Sequence, residues 1–296
     1  MSLSYVLVTA ARNEEAFIEM TIKSVISQSI LPLQWMIVSD GSTDRTEEIV
    51  QTYCEHIPWL RLLRMPHRSE RNWAGKADAF NHGYRALQPL PYDVLGNLDA
   101  DISFGNDHIE YLLARFSENP KLGVAGTRYV ENDYTLPVYS SRDVAGQCQL
   151  FRRQCIDQIG GYVPSKYGGI DNIAVMKARM KGWHTQTFPE RTFFHHRAMS
   201  TAQSNKWKAR IKHGREDYLL GNHPLWESFR VAYQLTQKPY FFGSFLLLYG
   251  YTGAFLTRME RPISSDLVSF HRKEQLRRLK AILRDLLRLR VNLEEA

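Results

Sequence analysis

The chain has 296 residues, 44% hydrophobic and 23% charged, a composition that fits a folded α/β protein and excludes a disordered or fibrous one. Its three cysteines, Cys54, Cys148 and Cys155, are odd in number and not at metal-ligand spacing, which fits a reducing compartment and argues against a disulfide framework. The net charge of +7 sits in the last third, where residues 201–296 carry 17 Lys and Arg against 9 acids while residues 1–200 carry 21 against 22.

The N-terminus, MSLSYVLVTAARNEE, has no basic flank before a long apolar stretch. It reads as a first strand, YVLVTA, rather than a signal peptide, and a cytoplasmic location is expected. Phe17, Ile18, Ile22, Val25 and Ile26 then recur at helical spacing. QWMIVSD is a second strand. Asp44 is expected to cap the next helix, with Glu47 completing a capping box. WLRLLRM is a third strand, GKADAFNHGYRAL a helix that Lys76 opens, and YDVLGNLDAD a fourth strand. This alternation predicts a mainly parallel sheet flanked by helices, with ligands outside the carboxyl ends of the strands. Residues 131–200 are richer in loops, with the helix DNIAVMKARMKGW and the strand TQTFPERTFF near their end.

Between Lys238 and Arg258 no residue is charged; at about 1.5 Å per residue the run falls just short of a ~30 Å hydrocarbon core. It either spans, lies on or avoids a membrane. Beyond it Leu276, Leu279, Leu283 and Leu286 share one helical face among Arg and Lys, a basic amphipathic helix suited to anionic lipid. No nucleic-acid motif accompanies the basic charge, so a membrane surface is the expected partner and nucleic acid is not.

The fourth strand ends in Asp99 and Asp101. Side chains two apart on a strand point to one side, where two carboxylates repel unless a cation joins them. Hard oxygen donors suit Mg²⁺ or Mn²⁺, which would neutralise the diphosphate of a nucleotide.

VTAARNEE, SDGSTDRT, GKADAFNHG, LDAD, FRRQCIDQIGGY and GGIDNIAVMKARMKGW occur in the order and approximate spacing of family 2 glycosyltransferases, and residues 4–200 resemble that family. The resemblance implies a GT-A fold, Rossmann-like, over residues 1–200, with a nucleotide-sugar half at about 1–101 and an acceptor half at about 102–200. Residues 201–296 would be a basic helical, membrane-associating extension. It further implies that Thr9, Ala10, Arg12 and Glu14 frame the base and ribose, with Ala10 and Arg12 standing where the family usually has Pro and Tyr. Asp40 would accept from a pyrimidine imide, Lys76 would meet a phosphate, and Asp99 with Ala100 would lie along the donor. Asp101 and Asp99 would hold Mn²⁺ or Mg²⁺, with His196, rather than His195, as third ligand. Asp171 matches the acid that deprotonates the acceptor; a helix cap is its plainer role. Gln203 to Trp207, QSNKW, partly matches a motif of processive synthases, a match read as accidental.

The implied activity is inverting transfer of a sugar from a UDP-, GDP- or dTDP-linked donor to a glycan or lipid-linked acceptor, in envelope or exopolysaccharide assembly. Processive synthesis is one alternative and an inactive nucleotide-sugar-binding protein another. A dinucleotide-dependent oxidoreductase would need a G-x-G-x-x-G turn where the chain has TAARNEE.

Overall fold

The computed structural model describes residues 3–67, 73–131, 134–135, 141–197, 206–236 and 240–294. β1 (Tyr5–Ala11) leads through α1 (Ile18–Ile26) to β2 (Gln34–Ser39), and α2 (Thr46–Cys54) leads to β3 (Leu60–Arg64). α3 (Trp73–Leu87) returns the chain to β4 (Val94–Leu98), followed by β5 (Ile102–Phe104), α4 (His108–Glu118), β6 (Leu122–Glu131) and β7 (Tyr134–Thr135). β8 (Cys148–Arg152), α5 (Arg153–Ile159), α6 (Ile170–Met180) and β9 (His184–His195) complete a compact unit, Met1–Met199. A second unit, Ser200–Ala296, holds α7 (Lys206–Leu219), α8 (Pro224–Gln234), α9 (Tyr240–Leu256) and α10 (Ser265–Glu294).

The strands form one sheet in the order β3-β2-β1-β4-β8-β6-β9-β5, with β7 beside β6. From β3 to β4 every pairing is parallel, Leu7 lying between Trp35 and Gly96. Beyond β4 the sheet is mixed: β8 runs antiparallel to β4 and β6, β5 antiparallel to β9, and β6 parallel to β9. The unbroken apolar run of β1 follows from burial on both faces. Tyr5 and Leu7 pack with Ile18, Ile22 and Val25 of α1 and with Ile109 and Phe116 of α4. Val6 and Val8 pack with Phe80 and Leu87 of α3 on the other side. Each such side chain contributes roughly 1.5–3 kcal/mol by burial. Helices cover both faces, so the carboxyl ends of β1, β2 and β4 form the open rim.

At that rim Asp44 does more than open a helix. Its Oδ1 accepts from the Thr46 N–H at 3.0 Å and hydroxyl at 2.6 Å, and its Oδ2 accepts from the Glu15 N–H at 3.1 Å. The expected capping box does not form. Glu47 instead accepts from the Ser39 hydroxyl at 2.6 Å and from Arg64 at 2.7 Å, because Ser39 is buried at the end of β2 and needs an acceptor.

In the second unit α7 and α9 touch backbone to backbone. A methyl group on Gly214 would stand 1.9 Å from the Leu247 carbonyl oxygen, and one on Gly250 would stand 2.1 Å from that of Ile211. Among the described residues no helix is long and apolar enough to cross a membrane. Beside this crossing lies a buried polar knot. Asn222 Nδ2 donates to Glu227 at 3.3 Å, Gln275 Nε2 donates to Asn222 Oδ1 at 2.7 Å, and Arg230 pairs with Asp217.

Burial, with Asp217 adding to it, pushes the Glu227 carboxyl up to about 7. A raised acid binds its proton more tightly folded than unfolded, so its stabilisation is complete at low pH and is lost as pH rises through about 7. Glu227→Gln is therefore expected to stabilise this unit at pH 8 by about 1–3 kcal/mol and to flatten its pH dependence between about 5 and 8. Thermal unfolding across that range checks it; a variant with an unchanged profile would mean that Glu227 is already ionised in the fold.

Candidate active site

The loops after β1 and β2 are laced together at the rim. Thr9 is buried and accepts from the Trp35 indole at 3.0 Å; Ala10 is half-buried beside it. The Ala11 carbonyl accepts from the Asp40 N–H at 2.9 Å, and Arg12 Nη1 stands 3.8 Å from Asp40 Oδ2. Asn13 takes a left-handed backbone, φ +55°, and its Oδ1 accepts from the Thr43 N–H at 2.8 Å. Glu14 is buried, and its N–H donates to Thr46 Oγ1 at 2.7 Å. These bonds hold Arg12, Glu14 and Asp40 on one wall.

Beyond β4 the backbone turns at Asp99, whose N–H donates to the Gln147 carbonyl at 2.8 Å. Asp99 Oδ1 lies 2.6 Å from Lys76 Nζ. Lys76 was expected to open its helix; α3 already runs from Trp73, so Lys76 lies within the first turn and projects from there to the aspartate. Ala100 is buried between the two acids. Asp101 Oδ2 stands 3.5 Å from both His195 Nε2 and Arg197 Nε. Arg197 also pairs with Glu14 and stacks over Phe17, its guanidinium carbon 5.4 Å from the ring centre.

The histidine beside the acids is His195, not the expected His196. β9 continues one residue further than the sequence suggested, pairing His195 with Ile102, so Phe193 and His195 point inward while Phe194 is 50% exposed. His196 is exposed, with Nε2 2.7 Å from Ser103 Oγ and its ring stacked on Phe17. One donor atom from each of Asp99, Asp101 and His195 lies within 4.8 Å of the others. Two carboxylates and an imidazole so placed fit a divalent cation.

Burial would raise both aspartates, and their neighbours separate them. At Asp99 burial prevails over the pull of Lys76, and the carboxyl sits above its ordinary value. At Asp101 the same burial is outweighed by His195, Lys76 and Arg197, and the carboxyl sits below. Burial also works against the charge of His195 and of Lys76, yet Asp101 holds the first above its usual value and Asp99 the second. In this state the two acids are neutralised by the chain's own cations.

Asp171 enters from the first turn of α6, after Gly168 (φ +101°) and Gly169 (φ +71°). Gly169, not Asp171, is the cap residue. Only a hydrogen atom fits at Gly146, where a methyl group would stand 2.6 Å from the Asp171 Cβ, so the loop before β8 seats the acid closely. The residue after Gly146, Gln147, accepts from the Asp99 N–H at 2.8 Å, so one loop meets both Asp171 and the end of β4. Ile170 is buried in the core under α3. Gln203 to Asn205 of the QSNKW stretch lie outside the described residues, and Trp207 packs on Phe242 within the second unit.

The model of the family described as Glycosyl transferase family 2 matches residues 6–179. The chain belongs to that family. Poly-beta-1,6-N-acetyl-D-glucosamine synthase of Staphylococcus aureus (strain COL) is 31% identical over 124 residues, 42% of this chain and 28% of the relative. The chain thus spans less than a third of that relative's length. Mannosyltransferase PcManGT from Pyrobaculum calidifontis, solved with GDP-Man and Mn²⁺, superposes with a TM-score of 0.56 at 18% identity, over 87% of this chain and 75% of its own. S. aureus TarS 1-349 with UDP-GlcNAc gives 0.57 at 14% identity, over 87% and 76%. At these identities the likeness shows the shared GT-A fold.

Proposed function

We propose that this glycosyltransferase moves a sugar from a nucleoside-diphosphate donor to a hydroxyl of a glycan or lipid-linked acceptor, with inversion at the anomeric carbon. The observation that carries the reading is the cluster of Asp99, Asp101 and His195, with Asp171 seated against Gly146 of the loop whose next residue, Gln147, accepts from the Asp99 N–H. Thr9, Ala10, Arg12, Glu14 and Asp40 frame the nucleoside, Asp40 exchanging Arg12 for the base. Asp99, Asp101 and His195 would hold Mn²⁺ or Mg²⁺, which would offset the negative charge of the leaving diphosphate. Lys76, and Arg197 across the acids, supply further positive charge to it. Asp171 takes the proton of the acceptor hydroxyl as that oxygen bonds to the anomeric carbon. The bond to the donor phosphate breaks with its electron pair leaving on the nucleoside diphosphate. One displacement suffices, and no glycosyl-enzyme is formed.

The acceptor side of the reading is envelope or exopolysaccharide assembly at the cytoplasmic face of a membrane, with the basic helical region of residues 201–296 on the lipid. It is supported by that region's charge and by the likeness to the staphylococcal synthase. The same likeness favours a second reading, repeated addition to one chain, which product length under limiting acceptor would separate from single transfer. Calorimetric titration with UDP, GDP and dTDP, each with Mn²⁺ and with chelator, tests the donor site. One nucleotide is expected to bind, and only with metal; no binding of any of them would overturn the assignment.

A further inference from the structure

The second unit carries a cleft of about 680 Å³ between the end of α9 and the first turns of α10. That is within the range of ligand pockets, roughly 300–1,000 Å³. Four cations line it, Arg258, Arg261, Arg272 and Lys273, and no carboxylate does. Among the described residues none of the four stands within ion-pairing distance of an acid. Arg261 Nε donates to the Tyr218 carbonyl at 2.9 Å and its guanidinium lies 4.2 Å from the Tyr218 ring centre. Arg272 Nε donates to the Gly221 carbonyl at 3.0 Å. Both arginines are thereby held in place with their terminal amino groups left over. Such forks suit phosphate oxygens. Ser265 and Ser269 add two hydroxyls to this basic lining, and Met259, Ile263, Val268 and Leu276 supply apolar surface beside it.

The cleft continues a second feature. α9 exposes Phe241, Phe242, Phe245, Tyr249 and Phe255, each at least 57% accessible, and Leu256 at 77%. This strip ends at the cleft: Phe255 meets Tyr218 edge to face at 6.3 Å, and the chain turns at Arg258 two residues after Leu256. Aromatic side chains beside basic ones match the headgroup layer of a bilayer, apolar below and anionic above.

We propose that the cleft binds the phosphate of an anionic membrane lipid, with its acyl end over the apolar wall and the α9 aromatics at headgroup depth. The proposal deepens the membrane-surface part of the function above and is independent of the donor site. Arg258 offers a clean test, because its backbone is left-handed (φ +50°) at the end of α9, where glycine is the favoured residue. Arg258→Gly removes a cation and leaves the fold intact, with a melting temperature equal to or above that of the parent. Arg258→Gly with Lys273→Gln is expected to weaken binding of the full chain to vesicles containing phosphatidic acid by roughly 25-fold, at about fivefold per charge at an anionic surface. Lys208→Gln with Arg215→Gln removes the same charge from exposed positions of α7 outside the cleft and is expected to weaken binding clearly less than the cleft pair does. Equal losses from the two pairs would mean diffuse attraction and overturn the cleft. Failure of the parent to bind vesicles at all would overturn the membrane reading as well, while nucleotide titration on the same samples reports the donor site separately. Calorimetry with dihexanoyl phosphatidic acid and with inorganic phosphate distinguishes the source: tighter binding of the lipid supports the proposal, and equal affinities would make the cleft a free-phosphate site.

Discussion

Asp171→Asn is expected to lower sugar transfer by at least ~100-fold while leaving metal-dependent nucleotide binding as it is in the parent. An attacking hydroxyl must lose its proton as the new bond forms, and an amide cannot take it. Asparagine keeps the volume and planarity of the acid, which matters because the loop at Gly146 leaves no room for a larger group. The cost to helix stability is small, since Gly169 occupies the cap position of α6 and Asp171, inside the first turn, gives up only its interaction with the helix dipole, about 0.3–1 kcal/mol. Initial rates of transfer at saturating donor, with nucleotide titration of the same sample, separate the outcomes. A variant that transfers at the parental rate would return Asp171 to a structural role. A variant that loses nucleotide binding as well would place the acid in the donor pocket.

The β1–β4 half of the sheet was legible because its signals are local. Apolar runs end in Asp40 and Asp99, each helix has buried residues at helical spacing, and these strands pair in parallel as such alternation requires. The part beyond β4 was less legible, since β8 enters antiparallel between β4 and β6 and no local pattern states which strands become neighbours. The histidine turned on one residue of strand length. Counting inward positions from Phe193 through the end of β9 selects His195, and stopping the strand at Phe194 leaves the choice open. Glu47 was misread for a related reason. S/T/D-x-x-E is a pattern within the helix, and the buried Ser39 hydroxyl that captures the acid comes from the end of β2. The uncharged run between Lys238 and Arg258 left its placement open; Gly250 is spent on contact with α7, and the opposite, aromatic side faces out.

Arg197 shows what the sequence withholds. It lies two residues beyond His195, and nothing in HHRAMS states that it will bridge Glu14 of the first loop and Asp101 of the fourth strand's end. These contacts join residues 14, 101 and 197, brought together only by the return of β9 to the sheet. The acids are thus partnered before any donor arrives.

That pre-pairing decides what Asp101→Asn should do. The change keeps the size of the side chain and removes its charge, so His195 and Arg197 each lose an anionic partner 3.5 Å away. The donor set falls from two carboxylates and an imidazole to one carboxylate and an imidazole, and amide oxygens are weaker ligands for a divalent cation. Changes in groups that merely orient metal ligands cost 10- to 100-fold in affinity, so loss of a ligand's charge is expected to weaken divalent-cation binding by at least ~100-fold. Nucleotide binding should fall with it in Mn²⁺, while in chelator neither protein is expected to bind nucleotide. Titration with Mn²⁺ alone, followed by nucleotide with and without the ion, reads both quantities, and thermal unfolding reports whether the fold survives. Parental Mn²⁺ affinity in a folded Asp101→Asn protein would remove the cation from Asp101 and leave the two aspartates as an anionic seat for Lys76, His195 and Arg197.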